Sequence, residues 1–141
     1  MGTWNGNCSS RPPLVPGSRR ECGLNAFAPP AIGSQGTIYL TSGCGDYFAV
    51  NPDGDLAWRV VTFDPNVSGA AIGSDGTVYW GDGNGAVVAL NPDGTFKWDC
   101  DFPTCGEPGL SSPSIGPDGT VYIGIRISNS GQPHGMLLAI D

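Results

Sequence analysis

AIGSDGTVYWGDGNGAVVALNPDGTFKW, residues 71–98, is written almost three times in this chain. An earlier copy, AIGSQGTIYLTSGCGDYFAVNPDGDLAW, occupies residues 31–58. A later one opens with SIGPDGTVYIGI at Ser114 and ends with MLLAID at Asp141. Ile32 and Ile72, Asn51 and Asn91, and Trp58 and Trp98 are each 40 residues apart, and Ile72 and Ile115 are 43 apart. A fixed period of this size marks a repeat architecture, in which each unit buries its apolar face only against a neighbour.

Within one copy every segment reads as strand or turn. Ala71–Gly73 is a short strand, closed by the turn Ser74-Asp75-Gly76. Thr77–Trp80 is a second strand, rich in β-branched and aromatic residues, and Gly81–Gly85 is a hairpin loop. Ala86–Asn91 is a third strand. Pro92-Asp93-Gly94 turns the chain, Pro fixing φ and Gly free to take φ > 0, and Thr95–Trp98 is a fourth strand. Four short antiparallel strands per ~40 residues, with no helical period, describe an all-β fold of β-propeller blades.

The pattern A-I-G-x-D-G-T-V-Y followed by A-L-N-P-D-G-T-x-x-W resembles the pyrroloquinoline-quinone-type, quinoprotein-like propeller repeat, over roughly residues 29–141. The resemblance implies a propeller more firmly than an activity, since the repeat serves quinone-dependent alcohol dehydrogenases, an outer-membrane assembly lipoprotein and many uncharacterised secreted proteins. The enzymes bind their cofactor with an adjacent Cys-Cys pair, a calcium ion and a catalytic Asp. This chain has no Cys-Cys dipeptide. The expectation is therefore no enzyme and no cofactor, with a fragment of a quinone-dependent dehydrogenase as the third reading.

The period divides the chain into residues 1–28, a closing strand plus a Cys- and Pro-rich loop; 29–68, a first blade; 69–111, a second; and 112–141, a third that lacks its fourth strand. Gly2-Thr3-Trp4 resembles the Gly94-Thr95-x-x-Trp98 step, so the N-terminal strand is expected to complete the last blade, in cis or in trans. Trp4, Trp58 and Trp98 are the expected structural tryptophans. Propeller rings typically hold about four to eight blades, so three must either belong to a longer ring or join another copy. A homodimeric ring of about six blades, with two-fold symmetry, is the favoured homo-oligomer.

Loops after the first and third strands are stereotyped: Ser34-Gln35-Gly36, Ser74-Asp75-Gly76, Pro117-Asp118-Gly119, Pro52-Asp53-Gly54 and Pro92-Asp93-Gly94. The other end of the disc carries variable segments, including Arg59–Gly69, Asp99–Ser112 and an expected long loop at Arg126–Gly135. All five cysteines, Arg11, Arg19, Arg20, Arg126 and the single histidine, His134, fall at this end. Rigid scaffolds carry binding on variable loops, so these basic residues are the candidate binding face. Cys8 with Cys22 and Cys100 with Cys105 are the expected disulfides, with Cys22–Cys44 as a rival. Cys44 is then the expected unpaired or intermolecular thiol, because an odd count leaves one over.

The blander readings are set beside these. Asp75, Asp82, Asp93 and Asp118 sit in turns without the remaining ligands of a calcium loop, so capping their own turn backbone is expected. The cysteines lack the paired spacing of a zinc site. His134 has no Ser or Cys nucleophile at motif spacing. No G-x-S-x-G or phosphate-cradling loop occurs, and Asn7-Cys8-Ser9 and Asn66-Val67-Ser68 have the form of glycosylation acceptors.

Composition narrows the partners. A net charge of −7 and a pI near 4.3 oppose nucleic acid, which requires a basic stripe. No apolar run approaches the ~18 residues of a membrane span, and residues 1–28 show no secretory-signal or myristoylation pattern. Cysteine in a small Gly-rich all-β chain favours an oxidising compartment: secreted, periplasmic or cell-surface. The expected function is a non-catalytic scaffold for a protein or carbohydrate partner, with a self-assembling subunit as the alternative.

Overall fold

The computed structural model describes residues 8–9, 28–62, 68–102, 109–129 and 132–141. The described elements are all strands: β1 (Cys8–Ser9), β2 (Ala31–Ile32), β3 (Ile38–Thr41), β4 (Tyr47–Val50), β5 (Leu56–Val60), β6 (Ala71–Ile72), β7 (Val78–Gly81), β8 (Ala86–Leu90), β9 (Phe96–Asp101), β10 (Gly109–Leu110), β11 (Ser114–Ile115), β12 (Val121–Asn129) and β13 (Gln132–Ile140). They form three antiparallel sheets. The first runs β2-β3-β4-β5, the second β6-β7-β8-β9-β1, and in the third β12 pairs with β10 and β11 on one side and β13 on the other.

The repeat in sequence becomes a repeat in register. Tyr39 stands opposite Ala31 and Ala49, and Tyr79 stands opposite Ala71 and Ala89. Tyr122 likewise stands opposite Ser114 and Ala139. The third and fourth strands of the first two sheets shift register at equivalent places, Ala49/Val50 and Ala89/Leu90. One extra residue there re-aims the side chain that follows. Six turns close alike, five at one end and one in the β3–β4 hairpin: the amides of Gly36, Gly54, Gly76, Gly94, Gly119 and Gly45 each donate to the carbonyl three residues back, at 2.9–3.0 Å.

The sheets stack face to face, and their cores lie between them rather than within any one. Tyr39, Tyr47 and Ala49 of the first sheet pack on Val78, Trp80 and Leu90 of the second, with Tyr47 and Trp80 stacked at 4.6 Å between centroids. The opposite face of the second sheet packs on the third through Tyr79, Val87 and Ala89 against Val121, Ile123 and Leu138. Burial follows this order. In the middle sheet β7 is buried at all four positions, whereas β3 and β4 alternate between buried and half-buried. A strand covered on both faces loses the alternation that one covered face produces.

Repeated serine clasps tie the junctions. The Ser68 amide donates to the Gly81 carbonyl (2.9 Å) and its Oγ accepts from the Gly81 amide (2.7 Å). Ser111 makes the same pair of bonds with Gly124, both at 2.9 Å. A Cβ on Gly81 would lie 2.9 Å from Leu110 Cβ, so the connecting segment needs glycine beneath it.

Two sequence expectations are corrected here. Residues 126–135 do not form a long loop, because β12 and β13 continue as a paired hairpin out to Asn129 and Gln132. The alternation Ile123, Ile125, Ile127 keeps a strand pattern running through the segment. Residues 2–4, expected to complete the sheet that contains Ala139, lie outside the described residues. The described N-terminal strand, β1, is a fifth strand of the second sheet, with Cys8 opposite Cys100 and Ser9 opposite Asp99. Strand β9 runs past Trp98 to Asp101 and so offers an outer edge to pair.

Candidate functional site

Two ends of the stack differ in chemistry. At the end of the short turns the carboxylates cap backbone, as expected from their sequence setting. Oδ1 of Asp75, Asp93 and Asp118 accepts from the amides of Thr77 (3.0 Å), Thr95 (3.0 Å) and Thr120 (3.1 Å). At the opposite end Asp82 caps the β7–β8 hairpin through the amides of Asn84 and Ala86, at 3.0 and 2.7 Å. Ser42 takes the same place in the β3–β4 hairpin. Amide and hydroxyl donors at a carboxylate favour its ionised form. Thr95 hydrogen bonds hold Asp93, and Thr120 hydrogen bonds hold Asp118, below the ordinary carboxylate range.

Asp75 is set apart by Lys97, whose ammonium donates to Asp75 Oδ2 (2.8 Å) and to Thr77 Oγ1 (2.6 Å). The Lys97 bond, seconded by the Thr77 amide and hydroxyl, holds the Asp75 carboxyl well below its usual range, and the Lys97 pKa rises in return. The first sheet has Gln35 and Ala57 at the equivalent positions.

Between these turns of the first two sheets lies a cleft of about 570 Å³, lined by Ile32, Gln35, Thr37, Tyr39, Ile72 and Asp75 among others. Burial pushes the Tyr39 phenol pKa up, so its hydroxyl stays protonated at neutral pH. The lining offers neutral hydrogen-bonding groups and one carboxylate already neutralised by Lys97. That suits recognition of a polar ligand. In sequence this end reads as turn alone, and the one signal of the cleft is Lys97 standing 22 residues from Asp75, where the first repeat has Ala57 and Gln35.

The opposite end carries the β3–β4 and β7–β8 hairpin loops, Cys44 and Cys100. Cys44 and Cys100 are both disulfide-bonded. The expectation that Cys44 is the odd thiol is thereby corrected: parity says that one cysteine is left over, and a hairpin position does not say which. Cys22 and Cys105, with Trp4, Arg11, Arg19 and Arg20, lie outside the described residues. Arg126 is exposed on β12, opposite Gly135, and His134 lies one step further along the same hairpin, opposite Ile127. Buried Asp46 is paired with Arg59, whose Nε donates to Asp46 Oδ2 at 3.1 Å and whose guanidinium lies 5.5 Å from the Phe48 ring centroid.

Trp58 and Trp98 lie between sheets. Trp58 packs against Tyr39 and Trp80 and donates from Nε1 to the Pro92 carbonyl at 2.9 Å. Trp98 packs against Tyr79. Among the described residues no group of three His, Cys, Asp or Glu side chains is placed to hold a metal, and no helix is long and apolar enough to cross a membrane.

Stacked antiparallel sheets whose short first strands, β2, β6 and β11, neighbour one another are the blades of a β-propeller. No protein-family model matches the chain, and no curated protein sequence does. Among solved structures it is similar to the crystal structure of BamB from Moraxella catarrhalis, with a TM-score of 0.58 and 20% identity over 79% of this chain. The match covers 36% of that protein, so the chain spans about a third of its length. The similarity establishes the propeller fold.

Proposed function

We propose that the chain is a non-catalytic propeller module, and that its loop end, bearing Arg126 and the cysteines, is an interaction surface for a protein or carbohydrate. The supporting observation is the contrast between the ends: five uniform turns on one side, and disulfide-bonded Cys44 and Cys100 with exposed Arg126 on the other. Disulfides also support a secreted, periplasmic or cell-surface setting. A second reading, that copies join through blade faces, is favoured by the exposed apolar residues Ile32, Leu56, Met136 and Leu137.

Peptide and glycan arrays probed with labelled protein test the first reading. Arg126→Glu is expected to weaken binding by about tenfold, while the cleft variant Gln35→Ala/Asp75→Asn leaves it unchanged. The reverse pattern would move the interface to the cleft, and silence on every probe would overturn the reading. Turnover of an alcohol with added pyrroloquinoline quinone and calcium would overturn the non-catalytic assignment.

A further inference from the structure

We infer that a second copy of this chain docks head-to-tail, the outer face of its third sheet seating on the outer face of the first. The two junctions already inside the chain use one kind of interface twice. In each, a face bearing Tyr, Ala and a hairpin-strand residue lies on an apolar face, of six positions on the second sheet and of five on the third, Ile115, Val121, Ile123, Leu138 and Ile140. On the second sheet those six are Ile72, Val78, Trp80, Val88, Leu90 and Phe96, all packed at the junction with the first sheet. The same positions one period earlier are Ile32, Ile38, Leu40, Phe48, Val50 and Leu56. Every one is apolar and none is buried, with Ile32 69% and Leu56 58% exposed.

The other outer face is the complementary half. Tyr79, Val87 and Ala89 carry the second sheet onto the third. Their counterparts by register are Tyr122, Leu137 and Ala139, and Leu137 is 56% exposed although Val87 is fully buried. The chain therefore presents one member of the pair at each end of the stack.

A second observation marks the same surface. Trp58 covers the Pro92-Asp93-Gly94 turn so closely that a Cβ on Gly94 would lie 2.7 Å from its ring. The matching turn of the first sheet, Pro52-Asp53-Gly54, has no described atom within 4 Å of a Cβ on Gly54. The outer turn of the first sheet is thus bare where that of the second is covered. Unlike faces on one molecule make a heterologous contact, which closes into a ring when the rotation allows.

The experiment is light scattering of the full chain, free thiols alkylated, across about 1–200 μM. It compares wild type with Ile32→Glu/Leu56→Glu, which blocks one face, and Leu137→Glu, which blocks the other. Near-ultraviolet circular dichroism checks that each variant keeps its packing. Wild type is expected to approach twice 14.5 kDa. Each variant alone should associate at least about tenfold more weakly, and an equimolar mixture should regain the pair, since it contains one intact face of each kind. A wild type that stays monomeric throughout overturns the inference. So does a variant that dimerises unimpaired, which would mean like faces meeting, or a mixture that stays monomeric. The inference rests on the reading that copies join through blade faces, and because the variants lie on those faces the outcome is independent of whether the loop end binds a partner.

Discussion

At the scale of single residues, two glycines adopt nearly the same left-handed backbone in different company. Gly54 and Gly94 have φ of 95° and 83°, a region costing an L-residue about 1–2 kcal/mol. Only Gly94 lies under an indole. Gly54→Ala is therefore expected to cost about 1 kcal/mol, and Gly94→Ala about 1–3 kcal/mol more through overpacking. Urea denaturation of both variants reads the difference, and equal midpoints would show that Trp58 does not hold the turn. Trp58→Ala, which removes two ring contacts and the bond to Pro92, should cost about 3 kcal/mol in the same assay.

Among elements, the strands and turns of each repeat were legible because glycine, proline and aspartate sit where the backbone requires them. The strand Val78–Gly81 differs from the expected Thr77–Trp80 by one residue at each end. The β12–β13 extension was masked by Gly131, Pro133 and Gly135, which read as loop although Pro133 pairs in register with Ser128. The cleft was not legible, because it arises where turns of two sheets approach and no local pattern encodes that meeting.

The capped turns also predict acid behaviour. A carboxylate with a depressed folded pKa stabilises the fold above its ordinary value near ~4 and loses that contribution as pH falls through the folded value. Asp75, Asp93 and Asp118 all shift this way, so stability should fall from about pH 4 downwards. The gap between wild type and Asp75→Asn, present at pH 7, should narrow below that point. Denaturant midpoints at pH 2, 3, 5 and 7 check it, and a constant gap would rule out the Asp75–Lys97 pair as its source.

The outer edge of β9 carries one further expectation. Residues directly opposite in an antiparallel pair have Cα atoms about 4.5–5.5 Å apart, within disulfide reach. The Cys100 bridge is therefore expected to run to Cys8, in place of the Cys105 pairing read from sequence. Non-reducing peptide mapping should recover the Cys8–Cys100 peptide, and a Cys100–Cys105 peptide would refute the assignment.

For the molecule as a whole, position in the stack decides how each repeat reads. The middle copy reads Val-Tyr-Trp-Gly along β7 because both its faces are covered, while the first reads Ile-Tyr-Leu-Thr with one face open. The fold was legible because the period is. The partner of each face was not, since like sequences are buried in one copy and bare in the next. The Ser68 and Ser111 clasps recur at both junctions with the same donors and acceptors. Gene duplication of one 40-residue unit would thus deliver its own latch to the unit before it, and such a protein could grow by copying without inventing a joint.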